Sequence, residues 1–173
     1  MFKKLGARKI LNSDQLAHET LRPGNQCYRR IKSFFHLEGP INRKQLAREI
    51  FANPEKRKKL EAIIHPYVRR RMMNEIKKVK QGIVILEVPL LFEAKFDRIC
   101  NATIVVSAGK SNIMKRLMRA GFGRAEINSR LKAQFSESEK MKRADIIISN
   151  KGSKKLLEQK TKLVWKKLKL QFN

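Results

Sequence analysis

The sequence predicts an α/β fold, a parallel sheet flanked by helices, and three observations carry that expectation. Three short β-branched runs recur at residues 83–88, 102–106 and 145–149 with almost no polar alternation. A strand covered by helices on both faces needs such a run. Apolar residues at helical spacing fill the intervals between the runs. Strands that alternate with helices join through right-handed crossovers into a parallel sheet. A shorter run at residues 8–11 is a fourth strand candidate.

The helices follow in order. Asn53 reads as an N-cap and Pro54 as the first helical residue, with Leu60, Ile63 and Ile64 on the apolar face. His65-Pro66 then reads as the opening of a new helix. In it Val68, Met72, Ile76 and Val79 point inward and Arg69, Arg70 and Arg71 point to water. Residues 111–120 and 126–135 read as helices on either side of the Gly121-Phe122-Gly123 break. Residues 154–170 close the chain with Leu156, Leu157, Val164 and Leu168 inward. No strand pattern occurs in residues 20–80, which read as a helical insertion with a loop near Gly39-Pro40. The whole, residues 1–173, reads as one domain with this insertion.

Composition limits the function classes. Lysine plus arginine is 41 against 15 acidic residues, a net charge of +26 on 173 residues. Such a surface concentrates anions: polyphosphates, nucleic acid or anionic membrane. Aromatics are 7%, and neither zinc-finger spacing nor an RNA-recognition aromatic pair occurs, so nucleic acid is expected only as a non-specific partner. No run of 18 apolar residues exists, so no membrane span is expected. The segment after Met1 lacks the apolar stretch of a secretory signal. Cys27 and Cys100 stand alone, which fits neither a disulfide scaffold nor a zinc site and makes the cytoplasm the expected compartment. No metal-ligand spacing links His18, His36 and His65.

Ligands of an open parallel sheet sit beyond the carboxyl ends of its strands. After the first candidate strand comes Asn12-Ser13-Asp14. Asp14 either takes a proton from a hydroxyl or holds a metal-bound water, or else Ser13 or Asp14 caps a helix. If the strand continues, Asn12 and Asp14 share a side. At the end of the second, Glu87 is either a carboxylate on the metal side of a nucleotide phosphate site or one partner of a structural ion pair. Arg116 and Arg119 lie one helical turn apart, and either grip a transferring phosphoryl group or lie solvated. Gln134, Lys140 and Arg143 lie in a polar stretch able to cover a site. Asn150 and Gly152 follow the last strand, either as a plain turn or as a base or ribose contact. His65, before Pro66, suits a helix start better than a base.

The ordered set of motifs resembles the dephospho-coenzyme A kinase family. The matching stretches include Asn12-Ser13-Asp14-Gln15-Leu16-Ala17-His18-Glu19, Leu60-Glu61-Ala62-Ile63-Ile64-His65-Pro66, Val84-Ile85-Leu86-Glu87-Val88-Pro89-Leu90-Leu91-Phe92-Glu93, Arg116-Leu117-Met118-Arg119 and Ala144-Asp145-Ile146-Ile147-Ile148-Ser149-Asn150. The resemblance runs from about Phe2 to the C-terminus. It implies a P-loop kinase fold with a helical substrate subdomain at about 20–80 and a lid at about 111–143. It further implies transfer of the γ-phosphate of ATP, with Mg²⁺, to the ribose 3′-hydroxyl of dephospho-coenzyme A. By that resemblance Asp14, Arg116 and Arg119 are catalytic. Glu87, Asn150 and Gly152 serve the nucleotide, and Asn12, His18, His65, Pro89 and Phe92 line the acceptor side.

Three departures from the family pattern stand out. The family's opening strand and Gly-x-x-Gly-x-Gly-Lys-Ser/Thr loop have no counterpart in this sequence. The resemblance therefore implies that a central strand and the phosphate loop are missing. It points to a late start codon or a gene fragment, with little or no kinase activity in the chain as written. The family's Asp-x-Asp reads Asn12-Ser13-Asp14, and an amide accepts no proton as a base. The spacing from Arg116 to Arg119 is one residue shorter than the usual pattern. A non-catalytic basic chain that holds nucleic acid or coenzyme A-like anions is the rival expectation.

Overall fold

The computed structural model describes residues 1–172. The strands are β1 (Lys9–Asn12), β2 (Val84–Glu87), β3 (Ile104–Ser107) and β4 (Ile146–Ser149). The helices are α1 (Ser13–Glu19), α2 (Gln26–Phe34), α3 (Arg43–Ala52), α4 (Pro54–Lys77), α5 (Lys110–Arg119), α6 (Arg124–Lys132), α7 (Glu137–Arg143) and α8 (Lys154–Phe172). All four strand candidates are present. They make two two-stranded sheets, β1 with β2 and β3 with β4. The β3–β4 ladder is parallel, with Ile104 opposite Ile146 and Ser107 opposite Ser149.

The expectation of strands covered on both faces is only half met. Val106 is 54% and Ile147 49% exposed, while Ser107 and Ile148 are buried. Val106 stands opposite Ile148 and Val105 opposite Ile147, so the two exposed residues lie on opposite faces of the ladder, and each face buries one residue and exposes another. A run of β-branched residues therefore marked the strands but overstated their burial.

The chain divides into two compact units. One comprises residues 10–80 and 86–89; the other comprises 1–9, 81–85 and 90–173. The first is built on helices. Its core joins Cys27 and Ile31 of α2, Phe35, Leu46 of α3, and Leu60 and Ile63 of α4. Asparagine caps explain where three of its helices begin. Asn25 accepts from the Cys27 N–H, Asn42 from those of Lys44 and Gln45, and Asn53 from those of Glu55 and Lys56. Each cap satisfies N–H groups that have no partner inside the helix.

One expected boundary is absent. His65-Pro66 does not open a new helix, because α4 runs through it for 24 residues. Proline removes one N–H and leaves the carbonyl four residues back without its helical partner. Here both Ala62 and Pro66 are exposed, so water can meet that carbonyl, while Leu60, Ile63, Val68 and Met72 hold the buried face together. Arg71 also departs from expectation. Rather than projecting freely to water it is half-buried, with Nε 3.6 Å from the Glu19 carboxylate.

In the second unit α8 packs on β4 and on the short 3₁₀ turn Phe2–Leu5. Its inward residues are Thr161, Trp165 and Leu168, with the Phe2 and Trp165 ring centroids 5.9 Å apart. Leu156, expected inside, is 41% exposed. Asp145 joins β3 to β4: its carboxylate accepts the N–H and the hydroxyl of Thr103, both at 2.7 Å. Those two bonds hold its carboxyl below the usual carboxylate range. The helix expected at 126–135 runs from Arg124 and ends at Lys132.

Candidate active site

In the helical unit, β1 ends and α1 begins at Asn12. The residue has extended backbone and its Oδ1 accepts the N–H groups of Asp14 and Gln15 at 2.9 and 3.0 Å. The strand therefore does not continue to Asp14, and the cap is Asn12 rather than Ser13 or Asp14. With Oδ1 committed to the cap, Nδ2 is left to donate, and it meets Glu87 Oε2 at 3.0 Å. The structure thus brings together two of the expected site residues, 75 positions apart. Ser13 is buried and Asp14 exposed, so the carboxylate sits at the solvent side of the first helical turn.

Farther along α1, the Arg43 guanidinium donates to the His18 ring, with Nη2 2.7 Å from Nε2. Glu19 accepts from the Tyr67 hydroxyl at 3.0 Å. Burial, then this bond to a carboxylate, pushes the Tyr67 phenol up. His65 is half-buried on α4, and burial pushes its imidazole down, favouring the neutral ring. Pro89 is exposed.

In the second unit, Arg116 Nη2 donates to the Asn150 carbonyl at 3.0 Å, which ties α5 to the end of β4. Arg119, one turn on, is exposed. A Cβ at Gly152 would lie 2.9 Å from Leu156 Cδ2, the tip of a 41% exposed side chain that can move aside. Phe92, expected at the acceptor side, is 7% exposed and packs as a core residue. Of the polar stretch 134–143, Lys140 donates to Gln134 Oε1 at 2.6 Å and lies 3.4 Å from Glu93. Arg143 pairs with Glu139 at 2.7 Å and stacks over Phe135, 4.6 Å from its centroid.

Two carboxylates that sequence reasoning missed organise this region. Glu137 Oε1 accepts the N–H groups of Ala108 and Gly109 at 2.6 and 3.0 Å, at the start of α5. Glu93 Oε1 accepts the Phe135 N–H at 2.7 Å. No local pattern marks either contact, because the partners lie 28 to 42 positions away. Ser136, which caps α7 by accepting from the Glu139 N–H, was the one local signal nearby.

Comparison with known proteins decides the family. Residues 1–155 match the profile of the family described as dephospho-CoA kinase. The chain belongs to the dephospho-CoA kinase family. It is similar to the dephospho-CoA kinase of Geobacillus kaustophilus, 38% identical over 163 residues, covering 89% of this chain and 81% of that protein. Among solved structures it is similar to TT1252 from Thermus thermophilus, with 34% identity, a TM-score of 0.78, and 96% and 87% of the two chains covered. The dephospho-CoA kinase from Campylobacter jejuni superposes with a TM-score of 0.66 at 27% identity over 96% and 87%. The fold is accordingly the P-loop kinase fold, with parallel strands flanked by helices.

Proposed function

We propose that this protein acts as a dephospho-CoA kinase, passing the γ-phosphate of ATP to the ribose 3′-hydroxyl of dephospho-CoA. The family match across residues 1–155 carries the reading, because it spans both Asp14 and the arginines of α5. In this reading the exposed Asp14 carboxylate accepts the hydroxyl proton as oxygen attacks phosphorus. Asn12 takes no proton: it holds the first turn of α1 and orients Glu87. Arg116 and Arg119 neutralise charge on the phosphoryl group in transit. Glu87, Asn150 and Gly152 serve the nucleotide. His18, His65 and Pro89 shape the acceptor side, while Phe92 is buried. The compartment this reading implies is the cytoplasm.

Among the described residues no three His, Cys, Asp or Glu side chains stand close enough to cage a metal ion. Mg²⁺ in this reading comes with ATP, held by its phosphates and by several waters. The 173 residues also contain no Gly-x-x-Gly-x-Gly-Lys-Ser/Thr loop. One lost electrostatic donor already costs about 10²–10³ in rate, so slow turnover is expected of the chain as written.

The test is incubation with ATP, Mg²⁺ and dephospho-CoA, with 3′-phosphorylated product followed by mass spectrometry. Slow conversion that Asp14→Asn abolishes supports the reading. Absence of both conversion and calorimetric dephospho-CoA binding would end it. The net charge of +26 favours a second reading, a non-catalytic chain that holds nucleic acid or CoA-like anions. Strong, salt-sensitive DNA binding without turnover would favour that one.

A further inference from the structure

Helix α8 is apolar on two opposite faces. Thr161, Trp165 and Leu168 are buried, with Leu157 and Val164 beside them. On the far side Leu156, Leu163 and Leu170 are 41%, 66% and 89% exposed. They recur every seven residues, which keeps them in one line to within about 20° per repeat. Lysines border the line on both sides. At the angular step of a helix, Lys160 and Lys167 flank one edge and Lys155, Lys162 and Lys166 the other. Lys160 also reaches the Ser149 carbonyl at 3.3 Å. Glu158 is the one acidic residue of α8.

We propose that this leucine ridge seats α8 on the surface of an anionic phospholipid bilayer, the leucines entering the acyl boundary and the lysines meeting the headgroups. No spanning segment is needed for such association, which relies on an apolar line with cations beside it. Lysine stems can lie along the apolar boundary while their ammonium groups stay in water. Charge decides among occupants. A second copy facing the same ridge would set lysines against lysines, with only Glu158 to answer them. A helical peptide partner is normally seated in a groove, whereas this is a convex ridge. Nucleic acid would use the lysines but has no use for three aligned leucines without aromatics to stack bases.

The test is sedimentation of the full chain with vesicles of phosphatidylcholine containing phosphatidylserine, and with phosphatidylcholine alone. Binding is expected to the anionic vesicles and to be weak on the neutral ones. The double substitution Leu163→Ser and Leu170→Ser should lower affinity tenfold or more, since each buried methylene contributes roughly fourfold. Lys166→Gln and Lys167→Gln should each lower it about fivefold. Trp165 is the single tryptophan and is buried, so unchanged emission shows that a variant has folded. Three results would overturn the proposal: no binding to anionic vesicles, equal binding by the leucine variant, or a dimer in sedimentation equilibrium that Leu163→Ser dissolves.

Discussion

Asn12 Nδ2 lies 3.0 Å from Glu87 Oε2 while its Oδ1 receives two N–H groups of α1. One amide therefore satisfies a helix start and anchors a strand end, its oxygen accepting while its separate NH₂ group donates. Asn12→Ala should cost about 1 kcal/mol from the cap alone. Asn12→Asp retains the cap but sets two carboxylates at hydrogen-bond distance, raising the folded pKa of the pair. Its deficit should be small in acid and grow as pH rises through the carboxylate range. Urea unfolding of both variants at two pH values checks this, and parallel losses at both would contradict it.

Asp145 provides an acid-sensitive contribution. Its folded pKa lies below the ordinary value, so the stability it contributes is complete above roughly pH 4–5 and lost as pH falls through the depressed value. Asp145→Asn keeps an acceptor for Thr103 and should remove this component from the acid-unfolding curve. Asp145→Ala leaves the Thr103 N–H, in a residue only 7% exposed, without its acceptor and should cost roughly 1–3 kcal/mol.

His65 titrates in a different window. Burial lowers its folded pKa, so the unfolded chain binds the proton more readily, and stability declines as pH drops below about 6.5. His65→Gln should flatten that step. An imidazole proton resonance that titrates at or above the free-histidine value would refute the argument.

Glu137 should govern the opening of the start of α5. Glu137→Ala removes the acceptor of two N–H groups, one from buried Ala108. Each such charge-assisted bond contributes about 1.5–3 kcal/mol. Amide hydrogen exchange at Ala108 and Gly109 should quicken at least tenfold, while exchange in α4 stays unchanged.

Much of the fold was legible because it rests on local signals. The β-branched runs located β2 to β4, the shorter run at 8–11 located β1, and Asn53-Pro54 fixed the start of α4 to the residue. Pro66 misled because a proline rule speaks of one backbone bond, whereas Leu60, Ile63, Val68 and Met72 decide the whole helix. Asn12 and Glu87 were both legible as site candidates, but their mutual bond was not, since no sequence rule pairs residues 75 apart. Glu93 and Glu137 were invisible for the same reason. Phe92 was read from its motif as a contact residue, and the structure buries it.

The β3–β4 ladder pairs Ile104 with Ile146, and everything between those strands is helix α5, α6, α7 and their turns. The exposed Gly121 and Gly123 lie in the middle of that excursion. A protease cutting there would leave each product with one strand of the same parallel ladder. The severed halves should therefore remain associated, and two separately made fragments should reconstitute the nicked molecule.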